Sequence, residues 1–283
     1  GRAHRRAGAT PLTTPASAPV VCLQVIRHRD PAAAAARFVT TVLTDFLWLQ
    51  FSVRLGLRRV RVVDVDHPLD ALVPFEPARV GVYLDFIAFW IRPLDDVRRL
   101  HGATAQRRAA VEFLGLIRRC YQEAAEVYGT TMSTTRRPRY LRGRFLAIHA
   151  FDPHLLCVPS LHIMVVVLAW TFYRRLDAAL GARLFGGAVA IADTVLYIKQ
   201  HSVNCIPAAL YAMGRITPDD VTEADVEAFT AALFADTASV APDAAAAIRA
   251  HVLETWRALV ADGASDSSWQ PAVLRLLAEL DRA

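Results

Sequence analysis

Apolar residues recur along this chain in long runs broken by single charges, and their spacing predicts helix nearly throughout. The first run, 31–57, opens on Asp30-Pro31, an N-cap and first-turn pair, and is interrupted by Asp45 and Arg54. Residues 59–77 are Pro-rich and β-branched and read as a loop with a short extended piece. A second apolar helix is predicted over 78–91, closed by Arg92-Pro93, and a third, more polar one over 104–129, ending at Gly129. The stretch TTMSTTRRPRYLRGR reads as a basic loop. A fourth helix starts just after Pro159 (SLHIMVVVLAWTFYRR), and a fifth covers 177–199. A sixth begins with SVNCIPAALYAM, where Pro207 lies in the first turn or kinks the helix.

The character changes after Gly214. Thr217-Pro218-Asp219-Asp220 is a helix start with acids in its first turn, and Ile248, Val252, Trp256 and Val260 form a stripe at i, i+4 spacing. The pattern is all-α: a flexible basic leader over 1–30, a six-helix antiparallel bundle over 31–215, and an acidic extension of three short amphipathic helices over 216–283. The start, with Gly first and three Arg among the first ten residues, reads as a fragment or a processed N-terminus, and no signal peptide is visible, since no apolar run follows the basic start closely.

With 283 residues the chain fits one large domain, or one domain plus an extension. A 54% hydrophobic content is high for a soluble domain and low for a bundle of lipid-exposed helices. Residues 155–173 form a long stretch without Asp, Glu, Lys or Arg. It would reach about 28 Å as a helix, near the hydrocarbon thickness, but it holds His162 and opens on a proline turn. Hydropathy fits a membrane-associated protein and a compact buried bundle alike. Four scattered cysteines without a CxxC exclude a disulfide framework and a zinc module, and Cys120 and Cys157 read as buried apolar residues.

Charge changes the picture more. Residues 1–215 hold 28 Lys and Arg against 15 Asp and Glu, while residues 216–283 hold 4 against 12. A basic body favours an anionic partner: a phosphate ester, a lipid headgroup surface or nucleic acid. Nucleic acid is least supported, for lack of any zinc finger, basic zipper or RNA-binding signature. Nothing in the sequence bears on oligomeric state.

The polar residues that interrupt apolar runs fall in three groups. Arg136 and Arg137 precede helix four, Ser160 and His162 start it, and Lys199 and His201 sit between helices five and six. In an antiparallel bundle these positions share one end. They are the parts that phosphoryl transfer needs: cations and a helix N-terminus for the oxygens, one His to attack phosphorus and one to protonate the leaving oxygen. No metal or cofactor is required where such groups hold the charge. Lys199 is the single lysine beside 31 arginines, which marks it further. His149, Asp152 and His154 (HAFDPH) have a metal-like look, yet Asp152-Pro153 reads more simply as a turn, and His67 as a loop residue.

The order RRP, PSLH, KQHSVNC resembles the type 2 phosphatidic acid phosphatase superfamily, with motifs K-x6-R-P, P-S-G-H and S-R-x5-H-x3-D. The resemblance spans about residues 35–214. PSLH and the PF.P segment at 74–77 are similar to its branch of lipid phosphatases and phosphosphingolipid synthases. It implies a helical bundle, a phosphohistidine formed on His201, His162 as general acid, and phosphate held by Arg137 and Ser160. The third motif is degenerate. Thr130 stands at the lysine position, Thr194 and Val195 at the Ser-Arg pair, and Cys205 at the aspartate that orients the nucleophile. Lys199 and Arg136 could offset the lost cations, and Asn204 or Asp193 the lost acceptor. The expected activity is a phosphatase or phosphotransferase on a lipid phosphate at a membrane. The alternative is a decayed member that binds lipid or phosphate without turnover.

Overall fold

A computed structural model describes residues 16–235 and 238–282, with side chains at all of these except 147 and 149–151. The chain is mostly helical. α1 (Ala18–Ile26) and α2 (Arg29–Thr41) lead through one wide turn, Val42–Trp48, into α3 (Leu49–Arg54). β1 (Arg61–Asp64) and two tight turns precede α4 (Val80–Leu84), α5 (Phe86–Ile91) and the long α6 (Pro93–Thr130). β2 (Thr131–Thr134) and α7 (Arg144–Phe151) follow, then α8 (Leu161–Leu176), α9 (Ala178–Tyr197) and α10 (Cys205–Ile216). The chain ends in α11 (Glu223–Ala232), α12 (Pro242–Asp262) and α13 (Gln270–Leu280).

α8 is the axis of the core. Every residue from Ile163 to Tyr173 is buried, with α5, α6, α9 and α10 packed around it. A helix that is apolar on all sides must be covered on all sides, and here protein does the covering. The uncharged stretch 155–173 is therefore a core element. Two other segments, Arg29–Arg54 and Ala178–Tyr197, are long and apolar enough to cross a membrane. About a fifth of the first is buried (22%), and half of the second (50%).

Four departures from the sequence pattern have physical causes. The second half of the leader is helical, with α1 packed through Val21 and Val25 into the core, while residues 1–15 lie outside the described ones. A helical segment from Pro93, with Asp95 and Asp96 in its first turn, precedes the third predicted helix, and Gly102 (φ 86°) breaks α6 into two helices just before 104. The basic loop contains β2, paired in parallel with β1 from Arg61↔Thr131 to Asp64↔Thr134. In α12, Ile248, Val252 and Trp256 are buried but Val260 is exposed and Leu259 buried. Steps of four advance about 40° beyond a full turn, so the stripe drifts off the face by its fourth member.

The acidic extension shares the core of the bundle. α12 packs on α10, and α13 packs on α6 and the β pair. Trp269 is buried and donates its indole N–H to Glu123, and Gln270 donates to Glu126. Asp225 pairs with Arg174, and Asp281 with Arg61. Acids of the extension thus meet the basic body directly.

The α8–α9 hairpin is tight. Asp177 caps α9 by accepting from the Leu180 N–H at 2.8 Å, and a Cβ on Gly181 would lie 2.3 Å from Arg174 Cβ and 2.5 Å from its Cα. Gly181→Ala is expected to cost about 1–3 kcal/mol. Gly186→Ala, where a Cβ meets open space, should be neutral or stabilise by roughly 0.5–1 kcal/mol. Urea unfolding of the two variants checks this.

Candidate functional site

Ser133 in β2 anchors the segment on one side of the site. Its N–H donates to Leu155 O, its carbonyl accepts from Cys157 N–H, and its hydroxyl accepts from Val158 N–H at 2.7 Å. These bonds lock 155–158 alongside β2. The Cys157 carbonyl then lies 3.2 Å from His201 Nδ1. A carbonyl only accepts, so Nδ1 carries the hydrogen and Nε2 keeps its lone pair. Nε2 sits 3.1 Å from Ser160 Oγ and 3.3 Å from His162 Nδ1. Ser160 caps α8, accepting from Ile163 N–H at 3.4 Å, so its own hydrogen is free to point at His201. The start of α8 thereby delivers His162 to His201.

The turn that carries His201 is held from the other side. Gln200 and His201 N–H groups both reach Val195 O, and Lys199 adopts a left-handed φ of 56°. Lys199 Nζ donates to the carbonyls of Asp70 (2.6 Å) and Val73. Asp70 Oδ1 accepts from Val203 N–H, and Asn204 Nδ2 donates to Val65 O. From the extension, His251 Nε2 lies 2.8 Å from Asn204 Oδ1, and its ring stacks on His67. Lys199 is thus a staple between the turn and the 65–73 loop.

The histidines border a cavity of about 400 Å³. Phe38, Phe46, Tyr83, Phe86, Trp90 and Tyr121 supply most of its aromatic wall, and Val39, Leu43 and Ile87 are lining residues that are also exposed. The Tyr83 and Phe86 rings each lie 4.7 Å from the His162 ring. Gln50, Trp90 and Gln200 border the cavity, and each keeps one buried polar atom without a partner. Such atoms cost about 1–3 kcal/mol each, which a polar ligand can relieve.

Burial pushes His162 down to about 4. His201 is driven well below its ordinary value by burial, with the His162 and His154 rings adding to it. Both imidazoles are neutral at pH 7. Opposite charge favours the protonated form, so a bound phosphoryl dianion raises both.

The other residues singled out in the sequence fall as follows. Arg137 reaches Asp152 Oδ2 (3.4 Å), Asp152 O (3.2 Å) and Gln200 Oε1 (3.3 Å), directly behind two lining residues. Arg136 is 85% exposed and pairs with Asp64 and Asp66 on the surface, apart from the histidines. Lys199 is spent on carbonyls. The phosphate-holding roles expected of Arg136 and Lys199 therefore do not fit this geometry. Thr130 and Thr194 bond back to carbonyls of their own helices, and Val195 is buried, so none of these positions supplies a cation. Cys205 is a buried thiol that accepts from Ser202 N–H. Neither Asn204 nor Asp193 replaces the missing acid: Asn204 serves Val65 and His251, and Asp193 accepts from Phe234 N–H. The acceptor for His201 is main chain.

Asp152 and His154, read from sequence as a turn, are both turn and cavity wall. Asp152 Oδ1 accepts from His154 N–H at 2.9 Å, and both residues line the cavity. Burial opposes ionisation of Asp152, but His154 and Arg137 outweigh it and hold its carboxyl below the usual range. His154 Nε2 lies 2.7 Å from Thr135 Oγ1. Among the described residues no three His, Cys, Asp or Glu gather around a point suited to a metal, and the His149 side chain lies outside them. The signal in the sequence was the density of titratable groups in HAFDPH.

A depressed histidine makes stability depend on pH. Above about pH 6.5 His162 is neutral folded and unfolded. Below it the unfolded chain takes a proton that the folded one refuses until about pH 4. Stability should fall across this window by about 3 kcal/mol from His162, with His201 acting in the same direction. His162→Asn should flatten the slope in urea unfolding at stepped pH. No protein-family model, curated protein or solved structure matches this chain.

Proposed function

We propose that the chain is a membrane-associated phosphatase or phosphotransferase acting on a lipid phosphate or a similar phosphate monoester through a phosphohistidine. The observation that carries this reading is the pair itself: a His201 Nε2 lone pair, fixed by the Cys157 carbonyl on Nδ1, 3.3 Å from a second imidazole at the wall of an apolar cavity. The order of its residues resembles the phosphatidic acid phosphatase motifs. In the same reading α2–α3, α4–α5, α6, α8, α9 and α10 correspond to that superfamily's six-helix bundle. The exposed apolar residues at the cavity, Val39, Leu43 and Ile87, suit a mouth laid against lipid, and the exposed Trp48 suits the interface.

The substrate's phosphorus displaces the contact between the two rings. His162 takes a proton from solvent once the bound dianion has raised it; His201 Nε2 then donates its lone pair to phosphorus as the ester P–O bond breaks, and His162 passes that proton to the departing oxygen. His162 then takes a proton from water, or from an acceptor alcohol, whose oxygen attacks the phosphohistidine and frees His201. Ser160 at the α8 N-terminus supports the phosphoryl oxygens, and Arg137 balances the charge of Asp152 behind them.

A second reading, binding without turnover, is favoured by one observation: Arg137, Arg136 and Lys199 are all engaged by protein groups. Assay of the purified chain with phosphatidate and with a chromogenic phosphate separates the two. Turnover is expected, with His201→Ala abolishing it and His162→Asn lowering it about 10²–10⁴-fold. An acid-labile ³²P adduct should form on wild type and be absent from His201→Ala. Full rate in His162→Asn sinks the role assignment. Because the Cys157 carbonyl already holds His201, Cys205→Asp should leave the rate within a few-fold of wild type. A gain from no activity supports the decayed-site reading instead.

A further inference from the structure

A second opening, away from the histidines, lies between α2 and α6. Arg29, Ala33 and Arg37 stand at i, i+4 and i+8 on one face of α2 and form one wall. Thr104, Arg107 and Arg108 of α6 form the other. Ala33, small and central in its stripe, leaves the gap open, with a volume of about 810 Å³. Four arginines, Arg29, Arg37, Arg107 and Arg108, therefore line one cleft, together with His28. Only two carboxylates lie beside them. Glu112 is bound to Arg175, and Asp30 makes no ion pair among the described residues. Arg107 donates to Thr104 Oγ1 at 3.1 Å, while Arg29, Arg37 and Arg108 have no hydrogen-bond or ion-pair partner among the described residues.

Four arginines facing a single unshared carboxylate, Asp30, leave an excess of like charge that repels, and an anion seated among them reverses the sign of that term. Guanidinium matches phosphate oxygens in geometry as well as charge. Just beyond Arg37, Val39 of α2 and Leu43 of the wide turn that follows are exposed and also line the histidine cavity, and Leu100 of α6 is exposed as well. Arginines beside exposed apolar side chains are what a protein presents to the boundary of an anionic bilayer.

We propose that the α2–α6 cleft binds a phosphate-bearing anion at a site separate from His162 and His201, supplied as an anionic lipid headgroup or as a free polyphosphate. The site holds whether or not the histidine pair turns over substrate.

The test uses the full chain and the double variant Arg37→Gln/Arg108→Gln, whose side chains are exposed. One arm titrates sodium pyrophosphate at low and high salt, read by thermal shift and calorimetry. The other floats the protein with phosphatidylcholine vesicles with and without phosphatidylglycerol. The expected result is salt-sensitive binding in at least one arm, roughly thirtyfold weaker in the variant. Turnover of a soluble phosphate should be unchanged. Pyrophosphate binding identifies a free anion as the ligand, and vesicle binding alone identifies the headgroup. The proposal is overturned if wild type binds neither probe, or if the variant binds as wild type does. A pyrophosphate signal that survives the double variant and disappears in His201→Ala assigns the anion to the histidine cavity and overturns it equally.

Discussion

The site depends on one main-chain hydrogen bond, from His201 Nδ1 to the Cys157 carbonyl. It decides which imidazole nitrogen carries a lone pair, and so what His201 can do to a ligand. A carboxylate in that place would pull the ring toward the charged form, whereas a carbonyl dipole does so less. His201, buried beside two other imidazoles, accordingly stays neutral and keeps its lone pair at physiological pH. For the proposed function, the gain is an unprotonated nucleophile. The cost is weaker stabilisation of any cationic adduct formed on Nε2, because no full negative charge sits behind the ring.

Both partners in that bond are held by segments distant in sequence. Ser133 fixes 155–158 through three hydrogen bonds, and the 65–73 loop fixes 199–204 through Lys199, Val203 and Asn204. β1 and β2 tie those two supports together. The extension adds His251 and packs α13 across the strands. His201 is thus oriented by residues from every third of the chain, though it touches few of them.

The helices were legible because burial on one face leaves a 3.6-residue signature, and the end-to-end logic of an antiparallel chain brought His162 and His201 together on paper. What escaped was whatever the backbone does alone. A carbonyl acceptor has no letter in the sequence, so Cys205 looked like a missing part, although the part is the oxygen of Cys157. Lys199 stood out by composition, but its ammonium is consumed by two carbonyls that also have no letter. Asp152 fitted a turn so well that its place on the cavity was hidden. The β pair was half visible, since β1 showed as an extended piece while β2 lay within a run of Thr and Arg.

The parallel pairing of β1 with β2 also bears on how the molecule assembles. Parallel strands cannot be joined by a hairpin, and here the connection includes α4, α5 and the whole of α6. Closing so long a loop carries an entropic penalty before the strand bonds repay it, so contacts of this separation form slowly. The helices can collapse around α8 with no strand yet in register. The turn that carries His201, tied to the 65–73 loop by bonds that span 126–139 residues, then settles late, and a newly collapsed chain would hold its core before it orients that ring.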